Sequence, residues 1–356
     1  MPPGSPASAP RSSARGGYIV GPSFDWVFLL SPPLVALLAG IAIAGSDYSL
    51  VPHVFGDRHL TWAELTLGAL IHAHLVAVFV RSHANPAIRA RYPVRFWVVP
   101  PVLLVAMFAS PWVAALSAVT ATLWDVYHSG AQTFGFARIY DVRAGHDPSA
   151  GRQLDFALNQ LLYAGPILAG VTLSDHLAAF GAFDDLSLTL SMRAPATLMG
   201  YQGAIARGLF GGGAVFLALY VGYYVRRARA GARVPWQKVF LLVATGACSV
   251  SCWLWNPWGE AFFIMNLFHA VQYLAFVWAQ EGPRLRARVT GRGRLGAWLG
   301  RPHVAIVAFL GAVAVYGFWA QLVSAHLFWC VTIVVSLMHF WYDGFIWSVR
   351  RGEIAA

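Results

Sequence analysis

The sequence predicts an all-α fold: a polytopic transmembrane helical bundle of about ten spans, with both termini in the cytoplasm. The chain has 356 residues, of which 58% are hydrophobic and only 11% are charged. Soluble domains contain about a quarter charged residues, so this balance is typical of a membrane protein. Apolar runs of roughly 20 residues recur along the chain, and each is long enough to cross a bilayer.

The apolar runs predict a single transmembrane domain over residues 18–351. A Pro/Ser/Ala/Gly-rich tail at residues 1–17 should be disordered, and a short tail at 352–356 follows the domain. The first apolar stretch lacks a convincing cleavage site, which favours a retained helix over a signal peptide. The spans are expected near residues 25–45, 60–81, 94–109, 111–137, 154–174, 203–225, 237–255, 258–280, 303–321 and 324–348.

The positions of Lys and Arg predict the orientation, because cytoplasmic loops carry an excess of both. With the N-terminus in the cytoplasm, all 25 Lys and Arg residues except Arg58, Arg193 and Arg207 fall on the cytoplasmic side. The outer loop around SDHLAAFGAFDDL is acidic instead. We therefore expect an integral protein of the bacterial inner (cytoplasmic) membrane. The net charge of +10 then reflects contacts with anionic membrane lipids, and no nucleic-acid partner is expected.

Histidines in four of the predicted spans lie at a common depth. All four spans run from outside to inside, so depth can be counted from the charged residue near the cytoplasmic end of each. Each histidine precedes that residue by nine to twelve positions, which is roughly 13–18 Å at 1.5 Å per residue. This places the histidines near the middle of a hydrocarbon core about 30 Å thick. They are His72, His128, His269 and His339.

His74 lies in the same span as His72, and helix geometry allows only one of them to face a shared site. Residues two apart are separated by about 200° around a helix. We favour His72. A single buried histidine is usually satisfied by a neighbouring hydroxyl or carbonyl group. Four at one depth favour a shared metal ion, because neutral imidazole is the commonest metal ligand and facing helices of a bundle build metal sites.

Polar residues flank these histidines at helical spacing. Asp125 and Gln132 share a helix face with His128, and Gln272 follows His269 by three residues. Metal-bound histidines need a partner for the second ring nitrogen, which a carboxylate or an amide oxygen can provide. Asp125, Gln132 and Gln272 are therefore expected to orient the imidazoles around the cofactor.

Two further residues are expected to act in the chemistry. Tyr273 follows His269 by four residues, and Asp343 follows His339 by the same spacing. Tyr273 is expected to be a weak ligand or a hydrogen-bond donor to bound oxygen. Asp343 is expected to pair with the imidazole of His339, with a salt bridge to the nearby Arg350 as the alternative.

The candidate ligands indicate a metal bound through nitrogen and oxygen. Cys248, Cys252 and Cys330 contain no CxxC pair, so a thiolate site is not expected. Nitrogen and oxygen donors suit Fe, Zn, Cu or Mn. Non-haem iron is the preferred assignment, and haem or zinc are alternatives. The HxxxH and HxxHH boxes of desaturase-type di-iron sites do not occur in the sequence.

Three segments resemble a known family. NLFHAVQYLAFVW and SLMHFWYDGFIW are similar to the late helices of the Brp/Blh family of bacterial membrane β-carotene 15,15'-dioxygenases, and YHSGAQTF is similar to its H-x-G-containing helix. The segments also resemble uncharacterised His-rich bacterial membrane proteins. The family resemblance implies that His128, His269 and His339 bind a single non-haem iron, and that a carotenoid is cleaved with O₂. Tyr273 stands where the family has a second histidine in this helix.

These observations predict a membrane-embedded non-haem iron oxygenase or related oxidoreductase. Its substrate would be a hydrophobic carotenoid-like or lipid-like molecule that enters laterally from the membrane lipids. Two alternatives remain open. The first is a haem- or metal-binding membrane protein or transporter without catalytic activity. The second is a structural bundle whose histidines are hydrogen-bonded core residues.

Overall fold

The computed structural model describes residues 16–186, 189–323, 325–348 and 354. The expected tails at 1–17 and 352–356 lie outside the described residues, except for 16, 17 and 354, and so does the expected partner Arg350. The described part of the chain is nearly all α-helical, as predicted. Its helices, in chain order, are α1 (Pro22–Asp25), α2 (Pro32–Ile43), α3 (Asp47–Leu50), α4 (Trp62–Ser82), α5 (Pro86–Arg91), α6 (Pro93–Trp97), α7 (Val99–Ala109), α8 (Pro111–Arg143), α9 (Arg152–Ala169), α10 (Leu173–Leu177), α11 (Thr189–Gly200), α12 (Gln202–Arg229), α13 (Trp236–Trp255), α14 (Trp258–Thr290), α15 (Gly293–Leu299), α16 (Pro302–Leu322) and α17 (His326–Ile346).

A π-helical turn, a 3-10 segment and a β-hairpin connect some of these helices. A π-helical turn, Trp26–Leu30, joins α1 to α2, and a 3-10 segment, Ala178–Leu186, follows α10. Strands β1 (His53–Phe55) and β2 (Arg58–Leu60) form an antiparallel hairpin before α4. The hairpin ends where Thr61 caps α4, and the Thr61 hydroxyl accepts a hydrogen bond from the Glu64 backbone N–H.

Length and apolar composition identify fewer membrane-crossing helices than the expected ten. Among the described residues, six helices are long and apolar enough, or up to eight if each of two bent pairs forms one span. The expected span at 94–109 is a shorter apolar stretch that is divided at Val98 into α6 and α7. The expected span at 111–137 is α8, whose polar side chains lower its mean hydropathy. The apolar helices indicate an integral membrane protein, while the count of ten is not confirmed.

Both bent pairs have local causes in the sequence. The first, Pro22–Leu30 with Pro32–Ile43, bends by 47° where consecutive prolines remove backbone donors. The second, Arg152–Ala169 with Leu173–Asp184, bends by 97° after Gly170. A Cβ atom at Gly170 would lie 2.1 Å from the carbonyl oxygen of Trp253, so only glycine allows this close approach of α9 to α13.

Four helices surround the centre of the bundle: α4, α8, α14 and α17. Helix α4 packs against α14, α16 and α17, and α17 also packs against α8. Close backbone contact fixes α4 against α16, because a Cβ atom at Gly317 would lie 2.0 Å from the carbonyl oxygen of Ala69. Tyr273, Val277, Leu337 and Tyr342 belong to the apolar core between these helices.

Buried ion pairs hold one end of the bundle, which we call the basic end. Helices α4, α8 and α17 end there, helices α9 and α13 begin there, and α14 continues beyond it. Lys238 of α13 contacts both Asp141 and Asp155 at 2.8 Å, and Arg138 of α8 contacts the same two carboxylates. All four side chains are buried. Charges removed from water are stable only when paired in this way, so the network fixes the register of α8, α9 and α13.

Candidate metal centre

Four histidine rings meet at the centre of the bundle, one from each of α4, α8, α14 and α17. His74, His128, His269 and His339 form a closed circuit of neighbours. Their ring centroids are 4.7 Å apart for His128 and His339, and 5.3 Å apart for His128 and His269. His74 lies 5.1 Å from His269 and from His339. All four residues are buried. We call this group the histidine cluster.

The His339 ring has a defined orientation. Its Nδ1 lies 3.1 Å from the backbone carbonyl oxygen of Leu75, and a carbonyl can only accept a hydrogen bond. Nδ1 therefore carries the proton in the neutral ring, and Nε2 is left with a free lone pair. This Nε2 lies 3.1 Å from Nε2 of His128. A backbone carbonyl that orients the outer nitrogen of an imidazole is the usual arrangement around a metal ligand.

Asp343 brings a carboxylate to the same place. Its Oδ2 lies 3.6 Å from Nε2 of His339 and 3.8 Å from Nε2 of His128. Its Oδ1 accepts hydrogen bonds from the Tyr273 hydroxyl and from the Trp347 indole N–H, each at 2.9 Å. One carboxylate oxygen is thus held by two donors, while the other faces the histidine cluster.

The donor atoms fit a metal ion. Two overlapping sets, His74/His269/His339 and His128/His339/Asp343, each place their ligand atoms within 4.8 Å of one another. Metal–nitrogen bonds are about 2.1 Å long, so two ligands at right angles would have nitrogens about 3 Å apart, close to the His128–His339 separation.

The hydrogen bonding of the cluster also favours a metal. Within the described part of the chain, neither ring nitrogen of His74 or of His269 has a hydrogen-bond partner of normal geometry. A buried polar atom without a partner is costly, and native structures contain few of them. A shared metal ion would satisfy these lone pairs. A haem is a poorer fit, because a macrocycle placed between two of the rings would displace the other two.

The structure brings together three of the four predicted histidines and replaces the fourth. His128, His269 and His339 are in the cluster, but His74 occupies the place expected for His72, so the choice of His72 was wrong. His72 is only half-buried. His74 lies on the face of α4 that turns to α14 and α17, and Arg81, seven residues or two turns later, points the same way and pairs with Glu281 of α14. Because Glu281 is distant from Arg81 in the sequence, this shared face becomes evident only when α4 and α14 are packed together.

The predicted glutamines hold helix backbones and not imidazole rings. The Gln132 side-chain amide donates to the backbone carbonyl of His269 at 3.1 Å and to the side chain of Gln272 at 3.3 Å. Gln272 donates to the carbonyl of Leu29 at 2.7 Å. They therefore position α14 relative to α8 and to the π-helical turn. No described contact joins either glutamine side chain to an imidazole ring, which was the expected role.

Asp125 forms no described contact with the rings of the cluster. No hydrogen bond or ion pair of its carboxylate is found among the described residues, and it faces a cavity of about 280 Å³ that also reaches His74. Its expected contact with the His128 ring is not formed. Trp253, Trp258 and Phe262 line the same cavity, which we call the outer chamber.

A second cavity of about 290 Å³ reaches the cluster from the basic end. We call it the inner chamber. His128 and Asp343 line it, and so does Tyr273. Phe340 borders both chambers. The histidine cluster therefore lies between two cavities, which gives a small molecule room on either side of the candidate metal.

Sequence reasoning missed the residues that support Asp343 from the basic end. The Arg81 guanidinium lies 4.2 Å from the Trp347 ring centroid, and its Nε donates to the Ile346 carbonyl at 3.0 Å. Its Nη1 contacts Glu281 at 2.7 Å. Arg81 thus holds the end of α17 and the indole that binds Asp343. Such a partnership between distant positions has no local sequence signal.

Comparison of the chain with family models, with curated proteins and with solved structures finds no match. The site itself offers four imidazoles and a carboxylate at a buried place, without thiolate. Such donors suit iron, manganese, copper or zinc. With open positions towards two chambers, this arrangement can bind a metal and a small reactant together.

Proposed function

We propose that this protein is a membrane-embedded non-haem iron oxygenase or related oxidoreductase that acts on a hydrophobic molecule. The metal ligands would be drawn from His74, His128, His269, His339 and Asp343. The observation that carries the proposal is the convergence of these five side chains from four helices. Among the described residues, the ring nitrogens of His74 and His269 also form no hydrogen bond of normal geometry.

The choice of iron follows from the mixture of donors. Histidine with a single carboxylate and open positions is the ligand pattern of non-haem iron enzymes that use dioxygen. A non-haem iron bound here would supply the activation of dioxygen. Zinc binds the same donor types, and a haem is disfavoured by the contacts between the rings. The partial resemblance to the Brp/Blh family supports the same reaction class.

The residues of the chain have separate roles in this proposal. The Leu75 carbonyl and the Nδ1 proton of His339 orient that ring towards the shared centre. The Tyr273 hydroxyl donates a hydrogen bond to Asp343, which fixes the carboxylate and keeps a proton donor next to the site. The buried core around these residues limits the access of water to the site.

The membrane topology is part of the proposal. If each bent pair is one span, the six apolar helices and two bent pairs would make eight crossings. Helix α8 and the α6–α7 stretch would supply two more, which makes ten. Helix α8 can cross because its polar face is buried against α9, α13 and α17. The arginine-rich ends would face the cytoplasm of a bacterial inner membrane.

A transporter for a metal ion is the second candidate. The position of the cluster between two chambers favours it, because a midplane site reached from both sides is what alternating access requires. In that case the histidines would bind the ion only transiently, and no substrate would be oxidised.

One experiment separates the two candidates. Protein purified in a non-ionic detergent would be reconstituted in liposomes. Dioxygen consumption would be measured with a panel of carotenoids and fatty acids. Uptake of radioactive iron by the same liposomes would be measured separately. An oxygenase consumes dioxygen in the presence of one substrate class and takes up no iron. Iron uptake without dioxygen consumption would overturn the proposal, and the H339A variant is the control for both signals.

A further inference from the structure

The inner chamber extends from the histidine cluster to the basic end, between α8, α9 and α17. Aromatic side chains form much of its wall, and Gln132 and Arg138 are among the polar residues that line it. Tyr127 and Phe134 of α8 pack around Phe156 of α9, with ring centroids 6.0 and 5.5 Å away. Tyr127 is 47% exposed on the outside of the bundle. The aromatic part of the wall thus extends from the cluster to a residue on the outside of the bundle.

The mouth of this chamber carries a positive charge that is not neutralised by an ion pair in the described ranges. Arg152 lines the chamber and is exposed, and its guanidinium carbon lies 5.4 Å from the Phe134 ring centroid. In the described ranges its guanidinium forms no ion pair or hydrogen bond. By contrast, Arg138 and Lys238 nearby are bound to buried carboxylates.

The position of Arg152 is unfavourable for its own helix. It is the first residue of α9, where the helix dipole is positive and a cation is disfavoured. Arg152 therefore offers a partner for an anion at the mouth of the chamber. This is the charge distribution that a long-chain molecule with an acidic head group would match.

We propose that the inner chamber binds a long-chain fatty acid, with its carboxylate on Arg152 and its chain directed towards His128 and Asp343. The inference rests on the proposed function for the reaction, and it selects the substrate class. The fatty acid would come from the membrane leaflet at the basic end, because Arg152 lies at that end and the aromatic wall reaches the outside of the bundle.

The size of the chamber favours a single chain. A volume of about 290 Å³ is at the lower end of the range for small-molecule pockets, which suits one acyl chain better than the two chains of a phospholipid. A guanidinium binds a carboxylate through two parallel hydrogen bonds. A neutral polyene would leave the charge of Arg152 without a role.

The geometry also indicates where along the chain the reaction would occur. Phe134, which lies beneath Arg152, follows His128 by six residues, or about 9 Å along the helix. A fatty acid held at Arg152 would therefore present a carbon from the middle of its chain to the cluster, and not the carbon next to the carboxylate.

Two glycines allow the chamber to be filled without disturbing the fold. Gly135 and Gly344 both line it, and a Cβ atom at either position would meet nothing within 4 Å. G135L and G344L therefore place a side chain in the passage. G222L is the matched control, because Gly222 lies on the exposed face of α12 and is equally free of neighbours.

The test uses a photoreactive diazirine analogue of palmitic acid on the full-length protein in non-ionic detergent. Labelled peptides would be mapped by mass spectrometry, with palmitic acid, hexadecanol and phosphatidylglycerol as competitors. We expect labelling in α8 and α17 and the strongest competition from palmitic acid. R152Q should weaken binding about tenfold or more, because a charge-assisted hydrogen bond is lost. G135L should abolish labelling. R294Q, which changes an exposed arginine of α15 outside the chamber lining, and G222L should leave it unchanged.

Three results would overturn the inference: equal competition by hexadecanol, stronger competition by phosphatidylglycerol, or labelling that R152Q and G135L do not reduce. Bound iron is measured in the same samples and is independent of the labelling. Protein that binds the fatty acid but no iron would contradict the proposed function alone. Protein that binds iron but shows no specific labelling would contradict this inference alone.

Discussion

The Nε2 atoms of His128 and His339 face one another at 3.1 Å across the bundle. The Nδ1 proton of His339 is directed to the Leu75 carbonyl, so Nε2 of His339 can only accept. Without a metal, His128 would have to donate its Nε2 proton to it. With a metal, both atoms would be ligands. The presence or absence of a proton on Nε2 of His128 therefore distinguishes a hydrogen-bonded core from a metal site.

Replacement of Asp343 by Asn should weaken metal binding while preserving the shape of the site. The donors Tyr273 and Trp347 would still find an acceptor oxygen, but the charge and the second oxygen that face the cluster would be lost. We expect the affinity for iron to fall about 10- to 100-fold, the range seen when groups around a metal are altered. Competition with a chelator measures this change.

D125N is the matched control for that variant, because Asp125 is a carboxylate near the cluster that contacts none of the described ring atoms. Its iron affinity should be unchanged. A loss of equal size in D125N and D343N would contradict the assignment of Asp343 to the site.

Replacement of Glu281 by Gln should destabilise the bundle strongly. Glu281 pairs with Arg81, and both side chains are buried. Removal of one partner leaves a buried charge uncompensated, at a cost of about 3–5 kcal/mol. The free energy of unfolding in mixed detergent micelles measures it. The double variant R81M/E281L should be less destabilised than E281Q, and a double variant that is worse would show that the pair is not the cause.

Replacement of Gly317 by Ala should separate α16 from α4. The added Cβ would lie 2.0 Å from the Ala69 carbonyl oxygen, and overpacking of this kind costs about 1–3 kcal/mol. Gly311 of the same helix has nothing within 4 Å of a built Cβ, so G311A should be neutral or slightly stabilising. Equal thermal stability of the two variants would contradict the close packing of these helices.

Depth along a helix could be predicted from the sequence, but direction around the helix could not. The charged residues near the span ends placed His128, His269 and His339 in one layer, and they meet there. The choice between His72 and His74 failed because apolar residues surround α4 on most sides, so periodicity did not reveal which face is buried in the bundle. The pairing of Arg81 with Glu281 reveals it only once both helices are in place.

The polar residues of α8 and α14 show a second limit of prediction. Gln132 and Gln272 have the spacing of ring partners, but they bind backbone carbonyls. Spacing predicts a shared face, and it does not predict which acceptor lies closest. The polar content that made α8 interesting also lowered its mean hydropathy, which is why the number of membrane crossings could not be confirmed from apolar length.

The most direct test of the account is the metal content of H74A compared with H72A. The two substitutions remove the same ring from the same helix two residues apart, and only His74 lies in the cluster. Protein expressed in iron-rich medium and purified in non-ionic detergent would be analysed for iron by mass spectrometry, with an absorption spectrum to exclude haem. We expect bound iron in wild type and in H72A, and most of it lost in H74A. Wild-type protein without metal, or equal iron in H74A and H72A, would contradict the claim that these histidines bind a metal.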